Sequence, residues 1–395
     1  MLQSPALTRR FYPALDGVRG IAALLVFLRH FGGVTVGWIG VDVFFVLSGF
    51  LITSVLVQAR DEPHRYRHFY IRRALRIFPV YYLALAGAAV VGVLTGVTRW
   101  PSQLLWWPAY VGNFLESVFF TAQFAWIGTL WVGHFWSLCV EEQFYLAWPL
   151  LIFSLRDPQR IERAALTIVI GVATARAVLA FALPPVFLSA DWLYELTPFR
   201  IDALAAGAWI GARVQDGRPP TLASARRLGL TAWSAFAVCC VIGVAADGPS
   251  ALDLHARWMT AFGYPLLAAG SVGLVAMCLH EDATLSRVLE APVLQRLGQV
   301  SYGFYLLNML VGPFNMLVAW ATPAAGSLDA ARWLLLPVAL SVNYVVARLS
   351  FRFIEQPCLA LRPRFAPDHA RSIDAARERF PSISSNVPKT PSARV

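Results

Sequence analysis

The chain has 395 residues, of which 57% are hydrophobic and only 14% charged. A soluble domain carries nearer a quarter charged residues. Composition therefore excludes a soluble globular protein and points to several passes through a bilayer. The formal net charge of +10 comes almost wholly from arginine, and its placement between apolar runs favours membrane topology and anionic lipid over nucleic acid.

The first apolar run, from Leu15, reads LDGVRGIAALLVFLRHFGG. Arg9 and Arg10 precede it, but no A-x-A site follows, so the run reads as a retained span and not a cleaved signal. Arg19 stands near one end of the run and Arg29–His30 near the other. Eleven residues separate Arg19 from His30, which on a regular helix puts them about 20° apart in azimuth and roughly 16 Å apart in height. Two readings stand. In one, Arg19 snorkels to the interface and His30 is a packing residue. In the other, both face a polar cavity, because ionisable groups are costly in lipid and mark function. Asp42 opens the next run, GWIGVDVFFVLSGFLIT.

Apolar periodicity and length predict ten spans, near residues 14–31, 38–58, 73–96, 134–155, 161–182, 198–213, 228–246, 259–279, 299–320 and 332–353. Arginines crowd alternate connections: Arg60, Arg65 and Arg67, then Arg156, Arg160 and Arg163, then Arg213, Arg218, Arg226 and Arg227, then Arg287 and Arg296. The other connections hold few. The expectation is an all-α polytopic membrane helix bundle of about ten transmembrane helices with both termini cytoplasmic. Residues 97–133 fit less simply and read as a re-entrant or interfacial element, or as two short spans. Their tryptophans, Trp100, Trp106, Trp107, Trp126 and Trp131, suit either an aromatic belt at the headgroups or a platform for a sugar. The tail from Pro363 is rich in Pro, Ser and Arg and reads as disordered.

The five cysteines form no C-x-x-C pair and lie in or beside apolar runs. They read as small buried hydrophobes, and the spacing of His, Cys and acids gives no metal signature. No internal repeat or matched pair of broken helices points to a transporter.

Polar clusters interrupt the apolar sequence at five further places. RHFYIRRALRIFP sets Arg72, Arg73 and Arg76 at the mouth of the third span, where planar guanidinium groups suit phosphates and where a topogenic basic loop is the simpler alternative. HFWSLCVEEQFYLAWP brings His134, Ser137, Glu141 and Glu142 into a span. Adjacent carboxylates point about 100° apart on a helix, so one is expected to face a cavity and the other a partner or water. TPFRIDALAAGAWIG holds Arg200 and Asp202, whose simplest reading is an ion pair with each other. LGQVSYGFYLLNMLVGP and LSFRFIEQPCL, with Glu355, complete the set.

In this order the clusters resemble the integral-membrane acyltransferase-3 family, which includes O-acetyltransferases of bacterial surface polysaccharides. The matching pieces are LDGVRGIAALLVFLRH, GVDVFFVLSGFLIT, FYIRRALRIFPVYYL, WSLCVEEQFYLAWPL, FRIDALAAGAWIG, LGQVSYGFYLLN and FRFIEQP, over about residues 14–360. The resemblance implies a cytoplasmic tail at 1–13, a membrane acyltransferase domain at 14–360 and a disordered tail at 361–395. That tail is too short for the soluble esterase-like domain some members carry.

By position, the family's Arg–His pair falls on Arg19 and His30. Its membrane-entry arginines fall on Arg72 or Arg73 and Arg76, and its S-x-x-x-E element on Ser137 and Glu141. Where members often have Y-x-x-H, this chain has Tyr305 followed by Asn308, and an amide cannot act as a base. That leaves His30 as the leading base and His134 as the second. His64, His68, His255, His280 and His369 lie in loops or the tail and read as solvated.

The resemblance implies transfer of an acyl group, commonly acetyl, from acyl-CoA as co-substrate, with no bound cofactor, to a hydroxyl of a glycan, lipid-linked sugar or small molecule. The expected catalytic residues are His30, Asp42, Glu141 and Asn308, with Asp42 orienting the imidazole. The expected substrate-binding residues are Arg19, Arg72, Arg73, Arg76, Ser137 and Arg200. The expected location is the bacterial cytoplasmic membrane. The rival from another class is a multi-pass transporter of an acylated sugar or lipid, and a third reading is a non-catalytic partner of a separate transferase.

Overall fold

The computed structural model describes residues 12–96, 106–114, 126–127, 129–184, 191–280 and 284–366. The expectations for residues 1–11, for the tail from residue 367, and for much of 97–133 therefore lie outside the described residues.

Each expected span falls on helix. Helix α1 (Pro13–Phe27) runs into a π-turn at Leu28–Gly32. α2 (Ile39–Gln58) and α3 (Arg65–Leu94) follow. A two-residue hairpin, β1 (Trp126–Ile127) against β2 (Leu130–Trp131), precedes α4 (Trp136–Leu155). Then come α5 (Pro158–Ala182), α6 (Thr197–Gln215), α7 (Leu222–Asp247) and α8 (Tyr264–Met277). After α9 (Pro292–Gln299) the chain forms α10 (Ser301–Leu306), a 3₁₀ turn at Leu307–Leu310 and α11 (Val311–Ala325). α12 (Leu328–Ser350) ends in a second π-turn, Phe351–Glu355.

Among the described residues, eight helices are long and apolar enough to cross a membrane. The two further expected spans are α1 and α6, and both carry charge within a short run: Asp16 and Arg19 in α1, and Arg200, Asp202 and Arg213 in α6. The ends are set locally. Prolines open α1, α5 and α9 where a missing N–H costs nothing. Asp157, Thr221 and Ser327 cap α5, α7 and α12 by accepting backbone N–H bonds.

The bundle is apolar outside as well as inside. Leu94, Val241, Trp320 and Leu334 are exposed on α3, α7, α11 and α12, as a lipid-facing surface requires. Inside, small residues let backbones touch. A Cβ on Gly49 of α2 would collide with the carbonyl of Leu204 on α6, and one on Gly207 with the carbonyl of Val46. Gly20 and Gly298 bring α1 and α9 together the same way. Without a hydrophobic drive between helices in lipid, such close contact supplies the dispersion energy that holds them.

Alternate connections gather at opposite ends. At one, Gln58 bonds Gln215, Arg213 and Arg218 pair with Glu162, His280 meets the Pro220 carbonyl, and Arg72 bonds the Ala366 carbonyl. At the other, His255 bridges Asp191 and Asp253, and Asn113 bonds the Glu195 carbonyl. The arginine-rich connections thus share one end.

Candidate active site

A cavity of about 260 Å³ opens inside the bundle between α1, α2, α3, α4 and α10. Arg19, Arg73 and Arg76 enter it from α1 and α3, and Ser137, Glu141 and Glu142 from α4. Arg73 and Arg76 are three apart on α3, so they share a face. The guanidinium of Arg73 lies 5.6 Å from the Tyr145 ring. Both adjacent glutamates line the cavity, which corrects the expectation that they face apart: α4 runs along the cavity wall, and a 100° difference still leaves both at its edge. Ser48 of α2 donates to Glu141 Oε1 at 2.6 Å, and the Tyr145 hydroxyl donates to Ser48 Oγ at 3.1 Å. Gln143 turns the other way, to the Tyr110 carbonyl and the Asn113 side chain.

At the far wall, Ser137 and Tyr305 share a short hydrogen bond, and the Tyr305 hydroxyl also donates to the His134 carbonyl at 2.8 Å. The His134 ring packs 5.3 Å from the Tyr305 ring and 6.0 Å from the His30 ring. His134 is buried, and neither ring nitrogen has a partner in hydrogen-bonding geometry. His30 packs at 4.6 Å on Trp131 of the hairpin and is only partly buried. The cavity wall therefore runs from the arginines to Ser137 and Tyr305, with the His134 ring packed behind Tyr305 and His30 beyond it.

Five expected residues, His30, Arg72, Asp42, Arg200 and Asn308, fall outside the cavity lining. His30 does not line the cavity that Arg19 lines. The π-turn at Leu28–Gly32 inserts an extra residue into the ladder and re-phases the helix, so the 20° that a regular helix would give does not hold; such turns recur at functional sites. Arg72 points aside, with Nε on the Ala366 carbonyl at 3.3 Å and a 3.9 Å approach to Glu62. It is one residue from Arg73 and so about 100° away.

Asp42 does not orient His30. Its Oδ1 accepts from Arg200 at 2.9 Å, with both side chains buried. Arg200 in turn is boxed by Tyr264 and Tyr194, with ring centres 4.6 Å and 5.0 Å away, and stands outside the cavity. Nor do Arg200 and Asp202 pair with each other. Asp202 receives Arg176 of α5 at 2.6 Å. Two crossed ion pairs thus tie α2 to α6 and α5 to α6, charge against charge where lipid tolerates neither alone.

Asn308 sits in the 3₁₀ turn between α10 and α11, fully buried, with neither amide atom hydrogen-bonded. That turn packs against β2, the strand carrying Trp131. Glu355, on the second π-turn, is also buried with Oε1 unpartnered. Sequence reasoning missed Ser48, Tyr145, Tyr302 and Arg176. A charge inside an apolar run flags Arg176, and Tyr145 is one helical turn after Glu141. Ser48 and Tyr302 carry no such signal.

Among known proteins, the chain is similar to the peptidoglycan O-acetyltransferase OatA of Listeria monocytogenes, 27% identical over 374 residues, covering 90% of this chain and 57% of that protein. A Bacillus subtilis protein provisionally named a peptidoglycan O-acetyltransferase is 29% identical over 374 residues, covering 88% and 55%. A Staphylococcus aureus protein provisionally named an O-acetyltransferase is 26% identical over 387 residues, covering 92% and 61%. The chain thus spans little more than half the length of these relatives. No solved structure matches it. The acyltransferase domain family matches residues 12–350, nearly the whole described bundle, and the chain belongs to that membrane acyltransferase family.

Proposed function

We propose that the protein is a bacterial membrane O-acyltransferase that moves an acyl group, acetyl in the first instance, from acyl-CoA to a carbohydrate hydroxyl. The observation that carries this is the cavity itself: three arginines and two glutamates inside an apolar bundle, with His134 packed behind the lining Tyr305 and His30 against His134. Charged groups are retained at that depth only where they act on something polar.

In this reading Arg73 and Arg76 hold the phosphates of the donor, each guanidinium binding oxygens in pairs. Arg19 holds a phosphate or the pantetheine arm. Glu141, fixed by Ser48, accepts from the amides of that arm. The arm carries the thioester towards Ser137 and Tyr305. The acceptor approaches from the side of the hairpin, against Trp131 and His30. An imidazole nitrogen is suited to accept a hydroxyl proton as the oxygen attacks. His30 takes it, the oxygen attacks the thioester carbonyl, the C–S bond breaks, and the thiolate leaves with the proton from the imidazolium. Asn308 donates to the oxyanion; its support is a buried amide without partners.

The names of the relatives make peptidoglycan glycan the first acceptor to test. The bundle would sit in the cytoplasmic membrane with its arginine-rich end, and both termini, in the cytoplasm. Family membership favours an enzyme over the transporter alternative. The test is purified protein in detergent with acetyl-CoA and a panel of glycans, following thiol release and acetylated product. Acceptor-dependent thiol release supports the proposal; acetyl-CoA that neither binds nor reacts with any acceptor overturns it.

A further inference from the structure

A second cavity, of about 410 Å³, lies away from the first, between α6, α7 and α8. Its floor is apolar: Ala225, Leu228, Val272 and Ala276. Its rim is polar and basic, formed by Trp209 and Arg213 of α6 with Ser224, Arg227 and Thr231 of α7. α7 and α8 meet closely at Gly229 and Gly273, which keeps the floor shallow and the walls fixed. The site stands at the arginine-rich end of the bundle, where α6 ends, α7 begins and α8 ends.

The charges there are not equivalent. Arg213 is engaged, at 2.7 Å from Glu162 and stacked over Trp209. Arg218 takes up the rest of Glu162 together with Asp216. Arg227 has no ion pair among the described residues, whereas Glu162 and Asp216 are engaged by Arg213 and Arg218. A free guanidinium over an apolar floor, beside a hydroxyl pair and an indole at the end of membrane helices, matches an anionic headgroup above its hydrocarbon. A soluble phosphate would use the rim and leave the floor idle.

We infer that the α6–α7–α8 cavity is a binding site for an anionic glycerophospholipid, its phosphate on Arg227 and Ser224 and its acyl chains along Leu228, Val272 and Ala276. This rests on the membrane setting of the bundle and not on the acyl-transfer mechanism.

The test is native mass spectrometry of the detergent-purified chain titrated with phosphatidylglycerol, phosphatidylcholine or glycerol 3-phosphate. Retention of phosphatidylglycerol well above the other two is expected. Arg227→Glu should weaken it about five- to tenfold, the effect of removing and reversing one interfacial charge. Thr231→Trp should also weaken it, by filling the cavity without changing charge. Arg226→Glu, which makes the same charge change outside the cavity lining, should leave it within twofold. Should Arg227→Glu fail to fold, Arg227→Gln replaces it. Equal loss in the Arg226 and Arg227 variants would reduce the effect to surface charge and overturn the site. Glycerol phosphate binding as well as the lipid would make it a soluble-anion site and overturn the lipid assignment.

Discussion

His30 and His134 face each other with ring centres 6.0 Å apart, one on the π-turn that ends the first span, the other at the head of α4. Trp131 packs against both rings. His134 is buried, whereas His30 is only partly buried. That asymmetry favours His30 as the group that meets an acceptor and gives His134 the role of holding the wall around it. His134→Ala should therefore reduce turnover and thermal stability together. A variant that folds like wild type with no activity would instead make His134 the base.

The arginines of α3 give a contrast within one helix. Arg76→Lys keeps the charge but loses the planar two-point contact. If Arg76 holds the donor phosphates as proposed, loss of one charge-assisted hydrogen bond, about 1.5–3 kcal/mol, should raise the KM for acyl-CoA roughly ten- to a hundredfold. Arg72→Lys, whose parent bonds Ala366 and approaches Glu62 outside the cavity, should leave that KM within about twofold of wild type. Steady-state kinetics on both variants checks the pair. Equal KM values in the two would remove the phosphate role from Arg76.

Asp42 and Arg200 are expected to matter for stability. Asp42→Leu leaves Arg200 buried without its partner, which costs about 3–5 kcal/mol and should lower the melting temperature sharply. The double variant Asp42→Leu with Arg200→Met removes both charges and should recover most of that loss. Thermal melts by detergent size-exclusion chromatography measure it. If the double variant folds well yet transfers no acyl group, the pair has a role in catalysis after all.

Close helix contact is equally exposed to test. Gly207→Ala puts a methyl against the Val46 carbonyl, and a forced backbone shift of that kind costs about 1–3 kcal/mol. Gly87→Ala, where a Cβ meets nothing within 4 Å, is the matched control. Melting temperatures should fall for the first and hold for the second.

The opposite end of the bundle carries a pH signature. Burial of His255 disfavours its charge, but the hydrogen bonds and charges of Asp191 and Asp253 outweigh it and raise its pKa. A raised folded pKa means the folded state holds the proton more tightly. The contribution is complete below the unfolded value near 6.5 and fades as pH climbs through the raised value. Wild type should therefore melt above His255→Gln at pH 5.5, with the gap closing by pH 9. A gap independent of pH would show that the ring acts only by packing.

Much of this was legible in the chain. Apolar length and arginine alternation placed the ten expected spans on helix, eight of them among the described residues long and apolar enough to cross a membrane, because lipid imposes both patterns on composition. The motif pieces identified Arg19, Arg73, Arg76, Ser137 and Glu141, which do meet in one cavity. Partner choice was not legible. Arg200 and Asp202 are neighbours in sequence, yet pair with Asp42 and Arg176 on other helices, because only the packed bundle decides which charges meet. The π-turn at Leu28–Gly32 was likewise invisible: LRHFG announces the end of a helix at its glycine but holds nothing that marks an extra residue in the ladder. Ser48 reached Glu141 through the close approach of α2 and α4, which no spacing within either helix encodes.

The account turns on transfer from acyl-CoA with His30 as the base. The direct measurement follows labelled acetyl from acetyl-CoA into a glycan acceptor, using wild type and His30→Ala purified to equal monodispersity in detergent. The account predicts labelled product with wild type and a loss of at least a hundredfold in the variant, within the range general-base catalysis supplies, with acetyl-CoA binding retained. Product from His30→Ala at the wild-type rate would contradict it.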